Sequence, residues 1–219
     1  MLPILERWAL KRGVSLRGDQ LLEAFAEIET QVEHEEPSLL YPEVLRNTMR
    51  KIAEKTGAPR DEEAEDELAK SIGDWPAFPD SGEALRSLQQ HYKLAILSNV
   101  DRAPFAQSNQ RLAVDFDLIV TAEDVGSYKP ELRNFEALLL RLAELGAANN
   151  RVLHVAQSLY HDHVPAKQLG LATVWINRRH AKAGRGATVQ PNVAVTPDCE
   201  YPSMRAFAEA VELAFRSDW

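Results

Sequence analysis

Cysteine is almost absent, basic residues are outnumbered and no long apolar run occurs; each shortage removes a class of function. Cys199 is the single cysteine, which excludes an intramolecular disulfide framework and a multi-cysteine metal site. It fits a reducing, cytoplasmic setting. Acidic residues number 33 against 25 Lys and Arg, a formal net charge of −8. Such a chain lacks the basic face that a nucleic-acid backbone requires. No apolar run approaches the ~20 residues that span a bilayer, so no membrane partner is expected. The opening stretch, Met1 to Gly13, carries Glu6 and Arg7 and offers no small-residue cleavage site, unlike a secretory signal. There is no internal repeat and no low-complexity tract. What remains is 219 residues with 45% apolar side chains, enough for a core domain with a small insert.

Residues 1–74 read as all helix. Leu2, Leu5, Trp8 and Ala9 fall at helical spacing, as do Leu21, Leu22, Phe25 and Ile28, and then Val44, Leu45, Met49 and Ile52. Gly13, Pro37 and Gly57-Ala58-Pro59 mark the breaks. The run from Asp61 to Glu67 opens a further helix, where acidic residues suit the dipole; it reads as a solvated face. The Pro-rich stretch Trp75 to Gly82 is a hinge, and beyond it the pattern changes. Apolar runs LAILSN (Leu94 to Asn99), DLIVTAED (Asp117 to Asp124), VLHVAQS (Val152 to Ser158) and ATVWINR (Ala172 to Arg178) alternate with helical segments. A short edge strand is predicted between residues 193 and 203, before a last helix from Met204. This alternation predicts an α/β fold with a parallel sheet over residues 75–219.

Polar residues just past the carboxyl ends of such strands sit where open α/β sheets bind ligands. Three clusters do so in order: Ser98-Asn99, then Lys129, then Gln157-Ser158 with Asp162. Pro130 restricts Lys129 to an extended or turn conformation, which fixes an ammonium near a strand end; the alternative is a surface lysine at a helix start. Ser98 and Asn99 suit either an oxygen anion or a helix cap. Asp162 suits either an ion pair with Lys129 or a helix start. In His161-Asp162-His163 adjacent side chains diverge, which disfavours joint metal ligation, and His154 reads as a satisfied core histidine. Glu27, Thr30 and Tyr41 lie in the helical first half and are weaker candidates for facing the cleft.

Taken together, LSN (Leu97 to Asn99), YKP (Tyr128 to Pro130) and VAQSLYHD (Val155 to Asp162) resemble the second, third and fourth motifs of the haloacid dehalogenase (HAD) superfamily. Residues 27–46 are similar to the helical cap of its 2-haloacid dehalogenase branch, and Phe135 lies where that branch often has an aromatic. The resemblance implies a Rossmann-like three-layer core (75–219) under a helical cap (1–74). It implies a hydrolase whose Asp attacks a carbon bearing a halogen, giving an ester that water cleaves. Lys129 and Asp162 would be catalytic, and Ser98, Asn99, Gln157, Ser158 and Phe135 would meet a small anionic, 2-haloacid-like substrate. A homodimer is compatible with this resemblance.

Two departures qualify it. Gln157 stands where phosphatases of the superfamily carry an acidic residue, and a neutral amide is a poor Mg²⁺ ligand; a metal-free, cofactor-free reaction is therefore expected. The nucleophilic Asp and its strand, implied between the strands ending at Ser98 and Gln157, have no counterpart from Met1 onward. Unpaired buried backbone groups cost ~1–3 kcal/mol each against a total stability of ~5–15 kcal/mol, so an empty position is not expected. Either the flanking strands close up, another segment fills the gap, or these residues belong to a longer, active chain. The alternatives to a dehalogenase are a non-catalytic interaction protein and a phosphate- or diphosphate-ester hydrolase.

Overall fold

The structure, a computed structural model, describes residues 1–181 and 184–217. Four helices come first: α1 (Leu2–Lys11), α2 (Asp19–Glu35), α3 (Tyr41–Thr56) and α4 (Glu62–Lys70). Their apolar stripes converge on one core containing Leu5, Trp8, Leu21, Phe25, Val32, Val44, Leu45, Met49, Ile52 and Leu68. Gly57 ends α3 at φ 70°, a backbone conformation that side-chain-bearing residues resist. Ala122 and Tyr128, from the second half of the chain, complete that core.

The acidic opening of α4 is a solvated face at Glu62, Glu63 and Glu67 but not at Asp61 and Glu65. Asp61 and Glu65 are 6% and 3% exposed. Asp61 caps α4 through the Ala64 N–H and pairs with Arg12 at 2.8 Å. Glu65 pairs with Arg50 at 3.0 Å and Arg60 at 2.9 Å. Burial opposes the charge on each carboxylate, yet these partners hold both below the usual carboxylate range. Sequence periodicity around Asp61 carries no trace of the guanidinium groups of Arg12, just past α1, and Arg50 of α3.

The second half alternates as predicted: α5 (Ser81–Leu88), β1 (Ala95–Ser98), α6 (Arg102–Leu112), β2 (Leu118–Thr121), a short α7 (Ala122–Val125), α8 (Leu132–Glu144), β3 (Leu153–Ala156), a π-turn (Leu159–His163), α9 (Val164–Gln168), β4 (Ala172–Ile176), β5 (Cys199–Tyr201) and α10 (Met204–Ser217). All strand pairings are parallel. Val174 and Ile176 of β4 face Leu88, Phe207 and Val211 of α5 and α10. Phe135, Leu139, Ala166 and Leu171 form a second cluster around α8 and α9, joined by Leu97 of β1. Helices thus cover both sides of the strands, a three-layer, Rossmann-like α/β arrangement.

The strands form two sheets, β1–β2 and β3–β4–β5. The flanking strands do not close up: among the described residues no backbone hydrogen bond joins β1 to β3, and no other strand lies between them. Solvent access lowers the cost of those edges. Ala95 and Leu153 are exposed and the rest of β1 and β3 is only partly buried, and an unpaired backbone group costs less where water can reach it than in an apolar interior.

Candidate active site

Lys129 joins the two sheets. Its main chain is bracketed by one side chain: the Lys129 N–H donates to Asn99 Oδ1 at 2.8 Å, and Asn99 Nδ2 donates to the Lys129 carbonyl at 3.2 Å. Its Nζ donates to the Leu97 carbonyl of β1 at 3.0 Å and to Asp162 Oδ1 at 2.7 Å. The ammonium side chain is 11% exposed and its carboxylate partner 9%, so solvent screens the pair little. The Lys129–Pro130 peptide is cis.

Asp162 follows β3 on the π-turn, which Ser158 caps by accepting the His161 N–H at 3.0 Å. The same Asp162 oxygen that meets Lys129 also meets His154 Nε2 at 3.1 Å. A carboxylate can only accept, so His154 carries its proton on Nε2. Burial disfavours the Asp162 charge, but the Lys129 ammonium and the His154 ring outweigh it and hold the carboxyl well below its usual range. His154 is therefore satisfied, and its partner lies at the site. Phe135 is fully buried. Its ring meets His154 edge-on at 5.1 Å, so it supports the site from beneath; the core packing that covers it leaves no face for a substrate.

Ser98 ends β1, with its Oγ accepting the Val100 N–H at 3.4 Å. Gln157 turns away from Lys129: its Oε1 accepts from Thr188 Oγ1 at 3.2 Å, beside a cavity of about 160 Å³ lined also by Trp175 and Arg179. These donors suit Mg²⁺ poorly. Asp162 Oδ1 receives two N–H donors, and Gln157, a neutral amide, is a weaker Mg²⁺ ligand than a carboxylate. Among the described residues no group of three or more His, Cys, Asp or Glu side chains is placed to hold a metal ion.

Above this, helix α2 contributes residues that the sequence reading missed. Glu33 is 5% exposed and accepts from Asn99 Nδ2 at 3.3 Å. Glu29, one turn earlier, accepts the Tyr41 hydroxyl at 2.5 Å. His161 places Nδ1 3.2 Å from Ser158 Oγ and Nε2 3.8 Å from Glu33. Burial raises Glu29 to about 7 and Glu33 well above its ordinary value, and lowers His161 to about 4. Of the cap residues considered from sequence, Tyr41 reaches this cluster. Thr30 keeps a buried hydroxyl without a partner, and Glu27 pairs with Lys55 at the surface, 3.4 Å away. The available signal was a pair of carboxylates four residues apart, interleaved with the apolar stripe Phe25, Ile28, Val32.

A family profile described as haloacid dehalogenase-like hydrolase matches residues 15–176. A glyceraldehyde 3-phosphate phosphatase from Methanothermobacter thermautotrophicus is 28% identical over 122 residues, 54% of this chain. The chain spans about half, 53%, of that relative's length. An L-2-haloacid dehalogenase from Xanthobacter autotrophicus superposes with a TM-score of 0.74 at 17% identity, covering 96% of this chain and 91% of the other. YfnB of Bacillus subtilis, described as a HAD-hydrolase bound to magnesium, gives 0.68 at 18% identity, covering 95% and 89%. At such identities the structural likeness concerns the fold.

Proposed function

Because the chain belongs to the haloacid dehalogenase-like hydrolase family, we propose that its cleft serves hydrolysis of a small anionic substrate of the 2-haloacid type through an aspartyl ester. The observation that carries this reading is the buried Lys129 ammonium, fixed between Leu97 O and Asp162 at the ends of β1 and β3. A cation preorganised in a water-poor place stabilises charge that develops on an attacking carboxylate and its leaving group. Asp162 and His154 orient Lys129, and the Ser98 hydroxyl receives the substrate's carboxylate, while Asn99, whose amide N–H groups go to Glu33 and the Lys129 carbonyl, holds the Lys129 backbone in place.

The nucleophile must come from a strand that hydrogen-bonds to the free edges of β1 and β3, with its carboxylate beside Lys129. That carboxylate attacks the carbon, the halide leaves with the bonding pair, and water then cleaves the ester to a hydroxy acid. A halide-release assay on 2-chloropropionate tests this. It compares residues 1–219 with the same chain preceded by an apolar strand ending in Asp. The proposal expects halide from the second protein only, falling at least 100-fold with Lys129→Met. No product from either protein would sink it. A phosphate ester is the second reading, supported by the phosphatase relative; the donor set around Asp162 counts against a Mg²⁺-dependent form. Phosphate release from glyceraldehyde 3-phosphate, assayed in parallel, separates the two.

A further inference from the structure

Helix α3 begins without a cap of its own. Its N-cap position is Leu40, an apolar residue that makes no side-chain bond to the helix. Among the first helical positions Pro42 has no N–H, and the N–H groups of Glu43 and Val44 reach the Leu40 carbonyl at 2.9 and 3.1 Å. The Tyr41 N–H remains, and Asp101 Oδ2, from the second half of the chain, accepts it at 3.0 Å. Asp101 is itself the N-cap residue of α6, yet its side chain makes no bond to that helix. An N-cap side chain accepts from the second or third helical N–H, and the third residue of α6 is Pro104, which has none. Asp101 is 5% exposed and its Oδ1 has no partner. Among the described residues the Tyr41 N–H is thus the hydrogen bond that this buried carboxylate receives. Tyr128, 3% exposed, makes a second link: its hydroxyl donates to the Leu39 carbonyl at 2.5 Å, and its ring lies 6.4 Å from that of Tyr41.

We propose that Asp101 and Tyr128 form a seat that docks the start of α3 onto the two strand-end loops carrying Asn99 and Lys129, with Asp101 as the positioning residue. Asp101 lies two residues past Asn99, whose side chain brackets the Lys129 main chain, and Tyr128 immediately precedes Lys129. Lys129 and α3 therefore share their supports. At this junction the helical half and the Lys129 ammonium move as one, so a shift of α3 displaces Lys129 and a shift of Lys129 reaches α3. The junction holds whichever substrate the cleft receives.

Residue-resolved hydrogen exchange of the purified chain tests the seat. In Asp101→Ala the Tyr41 amide should exchange roughly tenfold faster or more, and the Lys129 amide roughly threefold faster or more, while α4 and β4 stay within about twofold of the parent. Asp101→Asn keeps an oxygen for the Tyr41 N–H, so Tyr41 should return to within about threefold of the parent. Tyr128→Phe keeps the ring and removes only the hydroxyl; it should accelerate both amides, and it carries the test if Asp101→Ala does not fold. An unchanged Tyr41 amide in whichever of these two variants is folded overturns the seat. So does Asp101→Asn exchanging as fast as Asp101→Ala, because the oxygen is then not what holds α3. A faster Tyr41 beside an unchanged Lys129 reduces Asp101 to a helix cap and overturns the coupling. Acceleration spread equally over α4 and β4 shows a global loss of stability and overturns it as well.

Discussion

Asp162 receives Lys129 Nζ and His154 Nε2 on a single oxygen, and this one atom couples stability to the proposed chemistry. Removing the carboxylate leaves a buried ammonium without its partner, whose cost exceeds the value of the pair itself. Asp162→Ala should therefore destabilise the protein by about 3–5 kcal/mol, read from the urea midpoint at constant slope. Asp162→Asn, which keeps an acceptor for Lys129 and His154, should cost less than half of that; equal losses would show that the charge is unimportant. Glu33 behaves oppositely, because burial and the neighbouring Glu29 raise its pKa more than Asn99 and Lys129 lower it. Glu33→Gln should raise the melting temperature at pH 8, and a lower one would show that the ionised form is satisfied in a way the Asn99 contact does not explain. The sequence made Lys129 and Asp162 legible because each follows an apolar run. It concealed Glu29 and Glu33 because a carboxylate on a helix ordinarily marks the wet face.

At the scale of elements, α8 and β4 anchor the site. Phe135 of α8 fills the second apolar cluster and meets His154 edge-on. Phe135→Ala should cost about 3–5 kcal/mol through the cavity it leaves, and should weaken anion binding by loosening His154 and Asp162. A cost below 1 kcal/mol in thermal unfolding would place Phe135 at a collapsible margin. β4 is bonded on both edges, to β3 and β5, whereas β1 and β3 are each bonded on one. Amide exchange should therefore be slowest in β4 and faster in β1 and β3; uniform protection in mass-resolved exchange would show the free edges to be covered. Element existence was readable from period and length: β1 to β4 lie within the four apolar runs. The π-turn at Leu159–His163 was not, since it is set by Ser158 capping the His161 N–H and has no periodic signature.

For the whole molecule, opposing titrations shape stability against pH. Asp162 has a lowered pKa in the folded state, so its contribution is present above the unfolded value and is lost as pH falls through the acid range. Glu29 is raised from 4.5 to about 7, so its folded form binds a proton more tightly and stability falls as pH climbs from about 4.5 to about 7. The full shift would amount to ~3 kcal/mol, reduced by the side chain's residual solvent contact. His161, lowered from 6.5 to about 4, works the other way over much of the same range, so Glu29 is isolated by difference: the melting temperature of the parent minus that of Glu29→Gln should fall across the interval, and a constant difference would remove Glu29 as a contributor. By itself the sequence determined the helical first half, the parallel α/β second half and the three polar strand ends, because apolar periodicity and turn residues are local properties. Tertiary structure alone decided that Lys129 and His154 meet on one oxygen of Asp162, that Gln157 turns to Thr188, that Phe135 supports the site from beneath, and that Glu33 meets Asn99 while Glu29 meets Tyr41. Those outcomes depend on which surfaces the packing of helices against two separate sheets brings together and which it shields from water, and residues far apart in the chain carry no local record of that choice.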